Sequence, residues 1–257
     1  MATENTVDQR GNAILNALPP KARERIMNHL SPVFLKIKTI LFQPDELITE
    51  VYFPLSGVIS LVTPLKNGTV VEVATVGNEG IVGVPLKADG SLTVRAISQV
   101  AGTSLRMDAA TFLAEFGGEN QSRDLVQNYT RALFGQISQS AACNRLHTNE
   151  ERLSRWLLMS GDRVGSDEFR ITQDFLAQML GSQRSTVTLS ARLLQTAGLI
   201  RYHRGRVTIV DRDGLEEVSC ECYGVIRALF DSRAPEQRRR SASRRRNVRS
   251  GGLTEVS

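Results

Sequence analysis

The chain has 257 residues, 41% of them apolar and 23% charged, which suffices for two domains with separate cores. No run approaches the roughly 18 consecutive apolar residues that a membrane-spanning helix needs, and Met1-Ala2-Thr3-Glu4-Asn5 lacks the basic-then-apolar layout of a secretory signal. The cytoplasm is therefore the expected location, with no membrane partner. The net charge of +5 is unevenly placed: from Asp231 onward eight arginines face only Asp231, Glu236 and Glu255, so this segment carries the whole excess.

The three cysteines, Cys143, Cys220 and Cys222, are too few for a disulfide framework or for the four thiolates of an iron–sulfur cluster. Cys220-Glu-Cys222 is tighter than a redox Cys-x-x-Cys, and no histidine stands beside it in sequence to complete a zinc set. The expectation is no metal, no cofactor, and two thiols at a helix start.

Residues 12–30 open with a helical pattern in Ile14, Leu15, Leu18, Ile26 and Leu30, broken at Pro19-Pro20. From Val33 the period becomes two. The runs Val58–Val62 and Val70–Ala74 flank Lys66-Asn67-Gly68-Thr69, where Asn-Gly between β-branched segments signals a hairpin. Further turn signals (Pro44-Asp45, Ser56-Gly57, Gly77-Asn78, Asp89-Gly90) recur every 10–12 residues, as in a small antiparallel barrel or jelly roll ending near Met107. Helical periodicity returns over residues 109–147. Leu125, Tyr129, Ala132, Leu133 and Ile137 form a narrow stripe on a helix of about 40 Å, longer than one small domain needs. That stripe is expected to be a seam between two copies of the chain.

The segment Ile171–Gly181 reads as a short helix closing on a glycine able to adopt the left-handed conformation. Ser182-Gln183-Arg184-Ser185-Thr186 follows as a polar helix start with Ser182 as N-cap. Val187, Leu193 and Leu194 supply the buried face of this second helix, while Gln183, Arg184, Ser185, Thr188 and Leu189 point outward. Donors and acceptors at the N-terminal end are what a helix entering the DNA major groove requires. Arg201-Tyr202-His203-Arg204-Gly205-Arg206 then reads as a β-hairpin with a basic tip, a wing whose Arg204 and Arg206 suit phosphates. The DNA-contacting set is thus Ser182, Gln183, Arg184, Ser185, Thr186, Thr188, Arg204 and Arg206.

With these elements in this order, residues 12–225 resemble the Crp/Fnr family of bacterial regulators. The matching stretches are Val51–Val62, Glu151–Leu158 and, most specifically, Ile171–Ile200. The resemblance implies an α+β protein: a cyclic-nucleotide-binding-like sensor barrel (1–118), a dimerisation helix (119–147) and a winged helix-turn-helix domain (148–232); the Arg- and Ser-rich composition of 233–257, with almost no apolar residues, predicts a disordered tail. It implies a homodimer on a pseudo-palindromic double-stranded DNA site, with a sensor for an unidentified signal; activation would add a contact to RNA polymerase. Cyclic-nucleotide binders of the family carry a Gly-Glu pair for the ribose and an Arg-Ser or Arg-Thr pair for the cyclic phosphate. Here the matching positions are Gly83-Val84 and Leu92-Thr93, so a buried phosphate would lack its guanidinium and cyclic AMP is not expected to bind. The oxygen-sensing branch needs an N-terminal cysteine set, and residues 1–142 have none.

The alternative is a cyclic-nucleotide-type module that regulates a protein partner; only a DNA binder would show affinity falling steeply with salt. No Gly-x-Ser-x-Gly, phosphate-cradling glycine loop or His-Glu-x-x-His is present, so an enzyme is not expected. One prediction concerns the tail. Eight arginines without fixed geometry can neutralise phosphates but not read base edges. Deleting residues 233–257 should weaken binding to all DNA alike and flatten the log–log salt slope by about 0.9 for each phosphate no longer neutralised. Equal slopes for the full and truncated chains would show that the tail never approaches DNA.

Overall fold

The computed structural model describes residues 11–85, 90–118 and 120–231; the Arg-rich tail lies outside them. The buried Asn12 caps the first helical turn, α1 (Ala13–Asn16), by accepting from the Ile14 and Leu15 N–H groups at 3.0 and 3.2 Å. Its amide donates to the carbonyls of Pro54 and Gly80, which ties this turn to the sheets. Pro20 opens α2 (Pro20–Met27) at the first helical position, where its missing N–H costs nothing.

Seven strands follow: β1 (Ser31–Leu35), β2 (Ile40–Phe42), β3 (Glu50–Pro54), β4 (Val58–Pro64), β5 (Val70–Val76), β6 (Arg95–Val100) and β7 (Gly102–Asp108). They form two antiparallel sheets, ordered β1-β7-β3 and β2-β6-β4-β5, rather than one closed cylinder. One core lies between them, built on Phe53, Ile59, Val76, Ile81 and Met107. The expected β4–β5 hairpin forms, with Pro64 opposite Val70. Only Gly68 takes positive φ (83°), because the Asn67 carboxamide oxygen accepts from Thr69 N–H at 3.0 Å and holds a longer loop instead of a two-residue turn.

Asp108 caps α3 (Ala109–Phe116), whose Phe112 and Phe116 stack with ring centroids 4.6 Å apart beside Phe53. The long helix α4 (Gln121–Leu146) has 26 residues, about 39 Å at 1.5 Å per residue. Its surroundings show how much of the expected stripe is covered within one chain. Tyr129 and Ala132 are buried within the protomer. The Tyr129 hydroxyl donates to the Ile81 carbonyl at 2.7 Å, and its ring lies so close over Gly80 that a Cβ there would come within 2.4 Å of it. Gln136, two turns further, donates to the Thr75 carbonyl at 3.2 Å. Leu125, Leu133 and Ile137 are half-buried against the sensor core. The face turned away carries Thr130, Phe134 and Ala141, all exposed, Phe134 to 70%.

Thr148 and Glu151 cap α5 (Asn149–Val164) reciprocally, and Gly165 ends it in the left-handed conformation. This helix is buried on nearly every side, because the sensor sheet covers one face and the helix-turn-helix the other. Trp156 Nε1 donates to Glu72 of β5 at 3.0 Å, and Arg163 pairs with Glu79 at 2.7 Å. The remaining elements are β8 (Glu168–Arg170), α6 (Gln173–Leu180), α7 (Arg184–Thr196), β9 (Ile200–His203), β10 (Arg206–Ile209), α8 (Arg212–Val218) and α9 (Cys222–Phe230). They share a second core of Leu153, Leu157, Leu176, Val187, Leu194 and Leu215. Among the described residues no helix is long and apolar enough to cross a membrane.

Candidate nucleic-acid interface

Thr172 caps α6 by accepting from Phe175 N–H. The helix ends at Gly181, whose φ of 57° lets its own N–H and that of Ser182 reach back to the last turn. A residue with a Cβ would strain this turn, and the turn sets the angle at which α7 leaves. Helix α7 then lays Val187, Ser190, Ala191 and Leu194 on the core, with Ala177 and Ala191 keeping that packing close. The Ser190 hydroxyl donates to Glu150 at 2.7 Å, fixing the second helix to α5. Leu193, expected inside, is 51% exposed: it lies two residues from Ala191, about 200° round the helix.

The outward face of α7 begins with Gln183, Arg184 and Ser185, all exposed. Gln183, not Ser182, is the N-cap, and it makes no side-chain capping bond. Ser182 turns away instead and donates to Asn149 Oδ1 at 2.6 Å, so it buttresses the turn. Thr186 and Thr188 are half-buried, and the Thr188 hydroxyl lies 2.9 Å from Gln173 Oε1. The Arg184 guanidinium reaches Asp174 at 3.1 Å with both side chains exposed, a contact that solvent makes weak and that an incoming acceptor can replace. Arg192, exposed two turns further along, is not singled out by the sequence pattern around the turn; its i+8 spacing from Arg184 is the signal that places it on the same face.

The wing is a hairpin of β9 and β10, with Arg206 opposite His203 and β8 added on the far side of β10. Its tip is Arg204-Gly205, both with positive φ (47° and 74°), the geometry of a tight two-residue turn. Arg170, Arg201, His203, Arg204 and Arg206 surround an open hollow of about 440 Å³, with Glu168 the one acid among the described residues lining it. Arg206 pairs with that Glu168. Tyr202 anchors the wing: its hydroxyl donates to the Ile171 carbonyl at 2.8 Å and its N–H to Gln195 Oε1 at 2.9 Å. The wing and α7 are therefore held as one surface.

In the sensor domain Gly83 is buried with φ of 80°, and a Cβ there would come within 2.8 Å of the Glu50 carbonyl. Val84 and Leu92 pack against the apolar core, while Thr93 is exposed. Arg95 is committed to Gln43, Nε to Oε1 at 2.7 Å. Of the four matching positions, Val84 and Leu92 supply apolar packing and none supplies a cation. The sequence places no histidine beside the cysteines, but the fold does. Folding brings His147 to the three cysteines, with the ligand atoms of Cys143, His147, Cys220 and Cys222 all within 4.8 Å of one another.

Residues 151–218 match the family model described as a Crp-like helix-turn-helix domain. No curated protein matches the chain. Among solved structures, a regulator of the Crp/Fnr family from Eubacterium rectale is similar, with a TM-score of 0.61 at 18% identity over 80% of this chain and 96% of that one. FixK2 from Bradyrhizobium japonicum gives 0.64 at 15% identity over 74% and 98%. A CRP-family transcriptional regulator from Thermus thermophilus gives 0.62 at 16% over 73% and 96%. The chain thus shares the fold of Crp/Fnr-family regulators, and its residues 151–218 match a Crp-like helix-turn-helix domain.

Proposed function

We propose that the protein binds double-stranded DNA as a homodimer on a pseudo-palindromic site, inserting one α7 into the major groove of each half-site. The observation that carries this reading is the two-faced α7. A buried side of Val187, Ala191 and Leu194 fixes it to the domain, and Gln183, Arg184 and Ser185 stand exposed at its leading end. The basic wing tip sits on phosphates, which position the domain without reading sequence. The sensor domain packs on α5 through Glu72–Trp156 and Glu79–Arg163, so a signal that alters the sheet reaches the DNA-binding domain through that helix. Selection of binding sites from random DNA by the purified protein tests the reading, and a selected motif without two-fold symmetry would refute the dimeric arrangement.

Within this reading Arg184 reads a base. It is the first residue of α7, exposed, and its guanidinium matches the paired O6 and N7 acceptors of guanine. Arg184→Ala should cost about 1–3 kcal/mol of binding and relax the preference at one position per half-site. An unchanged selected motif would reassign Arg184 to the phosphate backbone.

A further inference from the structure

The DNA-binding reading leaves the cysteines without a role, and their arrangement is specific. Cys143 lies in the last turn of α4, and His147 is that helix's C-cap, four residues on and on the same face. Cys220 stands in the link between α8 and α9, and Cys222 is the first residue of α9. All three cysteines are buried and none is in a disulfide. Cys143 Sγ lies 3.5 Å from Cys220 Sγ, and Cys222 Sγ lies 3.5 Å from His147 Nδ1. A tetrahedral zinc with Zn–S near 2.3 Å and Zn–N near 2.0 Å has ligand–ligand edges of about 3.5–3.8 Å. Two edges of such a tetrahedron are therefore in place, and the widest separation, 4.8 Å, closes with small side-chain rotations.

We propose that Cys143, His147, Cys220 and Cys222 form a closed structural site for a single tetrahedral Zn²⁺ ion. The groups around them are those a metal site needs. His147 presents Nδ1 to the cluster while its Nε2 faces the Glu221 carboxylate at 3.0 Å, the carboxylate–histidine arrangement that orients an imidazole ligand and raises its basicity. Gln139 Nε2 donates to Cys222 Sγ at 3.1 Å, a bond that stabilises a thiolate. Zinc with three thiolates and one imidazole carries one net negative charge, and two buried arginines of α5 are at hand. Arg155 acts electrostatically on Cys143 and Cys220, and Arg152 on Cys143. The Nε of each is buried with no hydrogen-bond partner among the described residues. One ion accounts for the close grouping better than an iron–sulfur cluster, whose ligands are divided among separate irons. Binding exchanges protons for metal: Zn²⁺ forms three Zn–S bonds and one Zn–N bond as each bound thiol gives up its proton, with no change in oxidation state.

The place of the site gives it a structural meaning. The ion would clasp the C-terminal end of α4 to the start of α9, beside residues 147–148 where the long helix turns into the DNA-binding domain.

Metal analysis of the reduced full-length chain, with cobalt substituted for zinc as a spectroscopic probe, tests the proposal independently of DNA binding. The expected result is one zinc per chain and a Co²⁺ form with tetrahedral ligand-field bands and thiolate charge-transfer absorption. Cys222→Ser should weaken or abolish uptake. His147→Cys should retain an ion while shifting the cobalt bands, a result that a folding defect does not produce. Glu221→Gln should lower affinity about ten- to a hundred-fold. Failure of the reduced wild-type chain to take up zinc or cobalt at micromolar concentration would overturn the proposal. So would iron with acid-labile sulfide at these residues, or a Cys143–Cys220 disulfide that after reduction leaves a chain unable to bind metal.

Discussion

In the homodimer proposed above, Phe134→Asp should leave the protein monomeric and lower its affinity for a two-half-site DNA by on the order of 10²–10⁴-fold. The expected size comes from linkage: once one half-site is held, the second binds at an effective concentration set by the dimer, and that advantage vanishes with the dimer. Phe134 is the choice because it is 70% exposed in the protomer, so replacing it costs the fold little. It sits on the outer face of α4 with Thr130 and Ala141, flanked by half-buried Val126 and Ile137. These residues are spaced three and four apart, the pattern of a seam between helices. An aspartate there would meet its own copy across a two-fold axis, where burying like charges is prohibitive. Ile137→Asp would be less informative, because Ile137 also packs on the sensor core and the variant could lose the protomer itself. Light scattering that reports a dimer for Phe134→Asp would remove this face of α4 from the interface.

The difference between this seam and the one read from periodicity shows what a sequence does and does not make visible. Periodicity reveals a stripe through Leu125, Tyr129, Ala132 and Ile137, but not what covers it. Gly80, some fifty residues earlier, lacks the side chain that would keep Tyr129 out, so the sensor domain claims half the stripe. The helix-turn-helix is legible because its signals are local: the left-handed Gly181, the polar residues after it and the basic hairpin tip all lie within about 30 residues. The features that escape are non-local. Ser182 reads as an N-cap, yet Asn149, 33 residues away, takes its hydroxyl. The Cys143–Cys220 approach spans 77 residues and depends on α9 folding back onto α4. Cys143-x₃-His147, one helical turn on one face, is the part of that cluster available to sequence reading.

Glu72→Gln should stabilise the protein at pH 8 by up to about 3 kcal/mol and leave it unchanged near pH 4. Glu72 interrupts the apolar run of β5 and lies beneath α5. Its carboxylate accepts from the Ser60 hydroxyl at 2.6 Å and from Trp156 Nε1 at 3.0 Å. Burial pushes its pKa from 4.5 up to about 7, against the pull of Ser60, Arg155, Trp156 and Arg163. Neither arginine neutralises it directly: Arg163 is committed to Glu79, and Arg155 Nη1 points at Met159 Sδ, 3.3 Å away. The sign follows from proton counting. Below about pH 4.5 both folded and unfolded chains hold the proton, so the group has no net effect. Between 4.5 and 7 only the folded chain binds it, and stability falls as pH rises; above 7 the full penalty persists. A shift of that size corresponds to about 3 kcal/mol, or roughly 5–10 °C in melting temperature for a chain of this length. Glutamine retains an acceptor for Trp156 and carries no charge to bury. Melting temperatures of wild type and Glu72→Gln across pH 4–8 should therefore diverge as pH rises. A variant less stable than wild type at pH 8 would show instead that Glu72 is held as an ion pair with Arg155, and that this charge, not its burial, fastens the sensor sheet to α5.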